Sequence, residues 1–222
     1  MKYTFRFNVV LDHWPELAEG AWKTVQISTL AMIIGLAVAT VCAYGRTSTS
    51  KPVRWLASGY VDVIRNTPFL VQLFIIYFSL PALGIRLEAN QAAVAAMVVN
   101  FAAYGTEIIR AGIEAVPKSQ TDAAKALGLS RLQTFRHVVL FQALKVVFPA
   151  LASQFVLLML ASSVVSAISA VELTAITNSL QSTTFRPFEF YFVTTGIYLA
   201  MALGFRALLG TLYWLAFERR RS

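Results

Sequence analysis

Only one cysteine, Cys42, occurs in 222 residues, and it lies inside an apolar run. No internal disulfide is possible, and a cysteine-based metal site is disfavoured. Histidine is almost as scarce, with His13 and His137 far apart in the chain. Without a His/Cys cluster no metal or cofactor is expected. Without a nearby histidine, Ser162-Ser163 does not read as a catalytic dyad. The phosphate-cradling pattern G-x-x-x-x-G-K-[ST] is missing, so the chain carries no nucleotide-hydrolysing loop of that kind. Charged residues are few, at 14%, and the net charge of +8 is confined to gaps between apolar runs. That distribution argues against nucleic-acid binding, which needs cations clustered on one surface.

Apolar residues dominate instead. They make up 57% of the chain, too many for an ordinary soluble domain and fitting for a multi-pass membrane protein. About 20 apolar residues are needed for a helix to cross about 30 Å of hydrocarbon. Five segments approach this: about 21–45, 59–83 (interrupted by Pro68), 89–109, 146–171 and 188–217. Runs this long and continuous predict helices, not barrel strands. The first run has no small-residue cleavage signal and reads as a retained helix. Residues 1–20 mix Phe5, Phe7 and Trp14 with Asp12, Glu16 and Glu19, which suits a short helix in the outer interface. The expected class is all-α, with about five spans in a bundle over 21–217 and one domain over 1–222.

Lys and Arg set the orientation. With the N-terminus outside, most of the 19 fall inside, including the tail Arg219-Arg220-Arg221; Lys2, Arg6, Lys23, Arg86 and Arg186 fall outside. His13 and His137 then lie on opposite sides. Residues 114–141 become a cytoplasmic loop, the longest polar interruption. It reads as two short helices. Pro117 opens the first, Gly128 ends it in the left-handed conformation, and Ser130 with Gln133 forms a capping box for the second. Ala123, Ala124 and Leu127 form one apolar side, with Lys118, Asp122 and Lys125 polar; Leu132, Phe135 and Val139 form a second stripe. A half-apolar hairpin kept in water implies a docking partner.

Several polar residues fall within or beside the spans. Asn100, mid-way along the third, must face other helices or a water-filled path. Glu107 and Arg110 are spaced to pair near its inner end. Ser162, Ser166 and Ser169 share a helical face, as a packing surface or a polar wall with Gln154 below. Glu172, at the outer end, reads as a lone carboxylate that meets a substrate cation or hydrates at the interface. Arg186-Pro187 with Glu189 reads as a solvated outer turn.

Asp122-Ala123-Ala124, then Gly128, then Val138-Val139-Leu140, resembles the EAA loop of ABC importer permeases. Ile113-Glu114-Ala115-Val116-Pro117-Lys118 and Arg65-Asn66-Thr67-Pro68-Phe69-Leu70-Val71-Gln72 are similar to the polar amino-acid branch of that family. The likeness runs over roughly 20–217. The chain departs from the pattern in having Asp122 for Glu, Val138 for Ile and Phe141 for Pro; the last removes a proline break before the next helix. The resemblance implies a permease subunit in the bacterial inner membrane that moves a polar amino acid and has no catalytic site of its own. It implies separate ABC ATPase subunits, a second permease subunit (identical or paralogous) and an extracytoplasmic solute-binding protein, all set in membrane lipid. Asp122, Ala123, Ala124, Leu127 and Gly128 would form the coupling helix on the ATPase. Asn100, Gln154, Ser162, Ser166 and Glu172 would border the substrate path. The rival reading is a self-contained carrier or channel, against which the lack of paired inverted halves counts.

Overall fold

The computed structural model of the chain describes residues 3–219, and no strand occurs among them. Lys2, Arg220 and Arg221, used above for orientation, lie outside the described residues. A short helix α1 (Asn8–Asp12) leads into α2 (Trp14–Arg46). The first span therefore starts earlier than expected. Pro15 fits its first turn, where a missing N–H costs nothing, and the expected interfacial helix is divided between α1 and the head of α2. Leu17 and Gly20 on that head are buried.

The second span is not one helix. It consists of α3 (Lys51–Arg65) and α4 (Phe69–Phe74), the latter continuing through a π turn at Ile75–Ser79 and a 3-10 turn to Leu83. The two halves meet at 111°. Pro68 cannot donate into the ladder. Local side chains take up the last carbonyls of α3: Asn66 Nδ2 donates to Asp62 O at 2.7 Å and Thr67 Oγ1 to Val63 O at 2.9 Å.

Helix α5 (Ala89–Glu114) starts at a capping box made by Glu88 and Gln91 and runs past the expected end at Ile109. The hairpin follows as α6 (Lys118–Ala126) and α7 (Arg131–Thr134). Pro117 precedes the first helical residue instead of occupying it. Beyond α7 the chain continues through a π turn at Phe135–Val139 into α8 (Leu140–Ala161) and a 3-10 stretch to Ile168. The fourth span and the second hairpin helix are thus one run of 38 residues, Arg131–Ile168. With Phe141 in place of a proline, nothing interrupts the ladder there. Helices α9 (Leu173–Thr184) and α10 (Pro187–Phe217) complete the chain. Among the described residues, four helices are long and apolar enough to cross a membrane, or five if the bent pair counts as one span.

Small residues bring the central helices together. On α2, Thr24, Ser28, Ala31, Gly35, Ala39 and Ala43 are buried along one face, and on α5 so are Ala92, Ala93, Ala96 and Gly105. A Cβ on Gly105 would stand 2.9 Å from the Ala39 Cβ, and one on Gly112 would stand 2.1 Å from Val147 Cγ2 of α8. Such close approach suits helices in lipid, where dispersion contacts replace a hydrophobic driving force. Phe101, Met97, Leu158, Val165 and Ile168 fill the core between these helices.

Candidate functional site

The hairpin is built by local rules. Ser130 Oγ accepts from Gln133 N at 3.3 Å, and Gln133 Oε1 accepts from Ser130 N at 2.8 Å, the expected reciprocal cap. Gly128 sits at φ +81° with open space where a Cβ would point. Gly128 N donates to Lys125 O at 2.9 Å and Leu129 N to Ala124 O at 3.1 Å, closing the end of α6. The apolar side foreseen on α6 is split. Ala124 is buried, whereas Ala123 is exposed and Leu127 is 80% exposed. Leu132 is 75% exposed and Phe135 is also exposed, while Val139 packs with Val116 and Ala143. Asp122 is exposed and pairs with Lys125 at 3.0 Å. The hairpin is therefore anchored by its inner residues and presents Leu127, Leu132 and Phe135 outward.

Asn100 is half-buried. Its Nδ2 donates to Gln72 Oε1 at 3.0 Å. Gln72, which spacing alone did not single out, is the hub of this region. Its Nε2 donates to Ile64 O at 2.7 Å, Thr67 O at 3.0 Å and Thr67 Oγ1 at 2.9 Å. Asn100 and Gln72 thus hold the break between α3 and α4 against α5. The available signal was a glutamine four residues after Pro68 inside an apolar run.

Glu107 has more partners than the pairing with Arg110. Its carboxylate meets Arg46 of α2, Arg65 of α3 at 3.7 Å and Arg110 of its own helix at 3.0 Å. Arg110 also reaches Glu114 at 2.5 Å, and Arg65 lies over the Tyr104 ring, 5.4 Å from its centroid. Three helices are tied at one carboxylate beside the hairpin end of the bundle.

The shared face expected of Ser162, Ser166 and Ser169, read as a packing surface or a polar wall, is not kept by the backbone. A 3-10 helix covers Ser162–Ile168, so the 3.6 period fails there, and Ser169 stands at φ +61°. Ser162 Oγ donates to Met159 O at 2.6 Å, Ser163 Oγ to Leu160 O at 2.8 Å and Ser166 Oγ to Ser163 O at 2.7 Å. Ser162 is buried and Ser166 half-buried. Gln154 is half-buried and has no hydrogen-bond partner among the described residues. No hydrogen bond among the described residues joins Asn100 to Gln154, Ser162, Ser166 or Glu172.

Glu172 is not presented at a mouth. It is fully buried and caps α9, accepting from Thr174 N at 2.8 Å and Ala175 N at 2.7 Å, and also from Tyr198 Oη at 2.6 Å. Burial pushes its carboxyl pKa up, against the downward pull of the Tyr198 hydroxyl and the two amides. The expected solvated turn at Arg186 to Glu189 is also corrected. Glu189 is fully buried and accepts from the Tyr3 hydroxyl and from Arg6 N at 2.9 Å; Arg186 Nη1 donates to Thr4 O at 3.0 Å. The N-terminal segment packs on this turn and removes the Glu189 carboxylate from water, while Phe185 and Phe188 stay exposed.

Comparison with known proteins agrees with this architecture. The family model described as binding-protein-dependent transport system inner membrane component matches residues 31–216. The L-cystine transport system permease protein of Bacillus subtilis (strain 168) is 41% identical over 160 residues, covering 72% of this chain and 68% of that protein. The probable glutamine ABC transporter permease protein of the same organism is 33% identical over 200 residues, covering 88% and 91%. A solved chain described as an amino acid ABC transporter with histidines superposes with a TM-score of 0.90 at 38% identity, covering 98% of this chain and 100% of that one.

Proposed function

The chain belongs to the binding-protein-dependent transport system inner membrane component family, and from that membership we propose that it is the permease subunit of an ATP-driven importer for a polar amino acid. The relatives named for cystine and glutamine support that substrate class. The bacterial inner membrane is its place. Residues 114–141 face the cytoplasm and the N-terminus faces outward, the orientation favoured by the Lys and Arg distribution. ATP is hydrolysed by separate ATPase subunits seated on the hairpin. A second permease, identical or paralogous, completes the pathway, and a soluble binding protein delivers substrate outside.

The observation that carries the reading is the outward apolar set Leu127, Leu132 and Phe135 on a hairpin whose second helix is continuous with a membrane span. Closure of an ATPase pair needs an element that carries motion into the bundle, and the continuous run from Arg131 to Ile168 supplies it. Asp122, Ala123, Leu127 and Gly128 form the coupling surface, and the buried Ala124 anchors it from within. Asn100, Gln154 and Ser166, all half-buried, border the substrate route, the fully buried Ser162 supports it by packing, and Glu172 shapes its outer end through the α9 cap. Alternating access then consists of two bundle arrangements whose populations nucleotide binding shifts.

Co-purification from membranes tests this. The expected companions are a nucleotide-hydrolysing subunit, a permease partner and a solute-binding protein, with amino-acid uptake abolished by ATP depletion. Uptake that ignores ATP and follows an ion gradient would replace the reading with a self-contained carrier.

A further inference from the structure

A cavity of about 650 Å³ opens at the hairpin end of the bundle, between the end of α5, α6, the start of α8 and the end of α10. Its volume is within the usual range for small-molecule sites, about 300–1,000 Å³. One side is polar: Gln120, Gln142 and Lys145. The other is apolar: Val116, Phe141 and Phe217. Gln142 Nε2 is engaged with Val138 O at 2.8 Å and with Gln120. Lys145 is half-buried and makes no ion pair among the described residues.

The apolar wall extends into the bundle as a row of rings. Phe141 and Phe217 have centroids 5.4 Å apart, Phe217 and Phe148 6.1 Å, and Phe217 and Tyr213 5.2 Å. A half-buried lysine beside an aromatic wall at the end of two membrane helices suits an amphiphile with an anionic head. A free anion would leave the ring wall unused. A protein carboxylate would satisfy Lys145 but would not extend along the rings.

We propose that this cavity holds the headgroup of one anionic phospholipid, with the phosphate on Lys145 and the acyl portion along Phe141, Phe148 and Phe217. The site does not depend on which solute the chain transports. It joins α6 to α8 and α10 through a lipid, so the seating of the hairpin responds to the composition of the adjacent leaflet. Basic pockets between membrane helices bind anionic headgroups in this way, and each cation near the surface contributes about fivefold in affinity.

Native mass spectrometry of the purified permease–ATPase complex, with added phosphatidylglycerol or phosphatidylcholine as probe, tests the site. The wild-type complex is expected to retain one phosphatidylglycerol per permease chain in preference to phosphatidylcholine. Lys145→Gln should weaken that retention about fivefold and Lys145→Arg should keep it. ATPase activity in vesicles of phosphatidylcholine with a quarter phosphatidylglycerol should exceed that in phosphatidylcholine alone, and Lys145→Gln should narrow the gap. Equal retention of both lipids, undiminished retention by Lys145→Gln, or lipid held by the isolated permease but not by the complex would each overturn the proposal. The lipid count needs no transport, so its failure is separate from failure of the importer reading.

Discussion

Glu172 carries two amide hydrogen bonds and one hydroxyl hydrogen bond at the head of α9, all without access to solvent. Removing an N-cap side chain costs roughly 0.5–2 kcal/mol, so Glu172→Ala should lower thermal stability. Burial raises its carboxyl pKa. The native chain then binds that proton more tightly than the unfolded chain does. The group's contribution is present below the unfolded value of about 4.3 and is lost as pH rises through the raised native value. Glu172→Gln mimics the protonated form and titrates nothing. The melting temperature of wild type minus that of Glu172→Gln should therefore fall across this window. A difference that stays flat or rises with pH would refute the assignment.

Three α-helices converge on Glu107, and this knot depends on a single acid. Glu107→Gln would leave Arg46, Arg65 and Arg110 crowded, with only Glu114 to offset them. Arg65 is 41% exposed in its side chain, so water and salt screen part of the repulsion. The expected loss is about 1–3 kcal/mol in denaturant unfolding, shrinking as salt is added. Retained stability at low salt would show that the knot contributes little. The hairpin gives a sharper test. At φ +81° a β-branched side chain is strained whatever the space around it, whereas asparagine tolerates this region. Gly128→Val should reduce ATP-driven uptake at least tenfold with membrane insertion intact, since strain of about 1–3 kcal/mol falls on the turn. Gly128→Asn should keep most of the uptake. Equal uptake by both variants would separate the turn from transport.

The turn at Gly128 and the cap of Ser130 with Gln133 were legible because each is settled within a few residues. Pro68 marked an interruption, but the 111° bend depends on Gln72 and Asn100 meeting across two helices, which no spacing encodes. The pairing of Glu107 with Arg110 could be read from their separation; Arg46 and Arg65 arrive from other helices. The serine face failed because the helix tightens to 3-10 geometry after Ala161, which changes the period. Glu172 looked free because the start of α9 at Leu173 was not read, so its local cap to Thr174 N and Ala175 N went unseen, and Tyr198 arrives from α10.

For the whole molecule, the ends of the bundle can be distinguished chemically. Cys42 is the only cysteine, so Cys42→Ser gives a thiol-free background. Leu127, 80% exposed at the hairpin, and Phe185, 83% exposed near the start of α10, provide one reporter each. An impermeant thiol reagent should label Leu127→Cys only in inverted vesicles and Phe185→Cys only in right-side-out ones. The opposite pattern would reverse the orientation and place the hairpin beyond reach of any cytoplasmic ATPase. The run from Arg131 to Ile168 has a mechanical corollary. Its 38 residues make a rod of about 57 Å. Two stations along it are softened: the π turn at Phe135–Val139, and Pro149, which deprives the ladder of one donor. Stress applied at the wet tip concentrates at these stations. A pivot of about 10° at Pro149 would swing the Ile168 end sideways by about 5 Å, the displacement expected of an articulated crank and not of a piston.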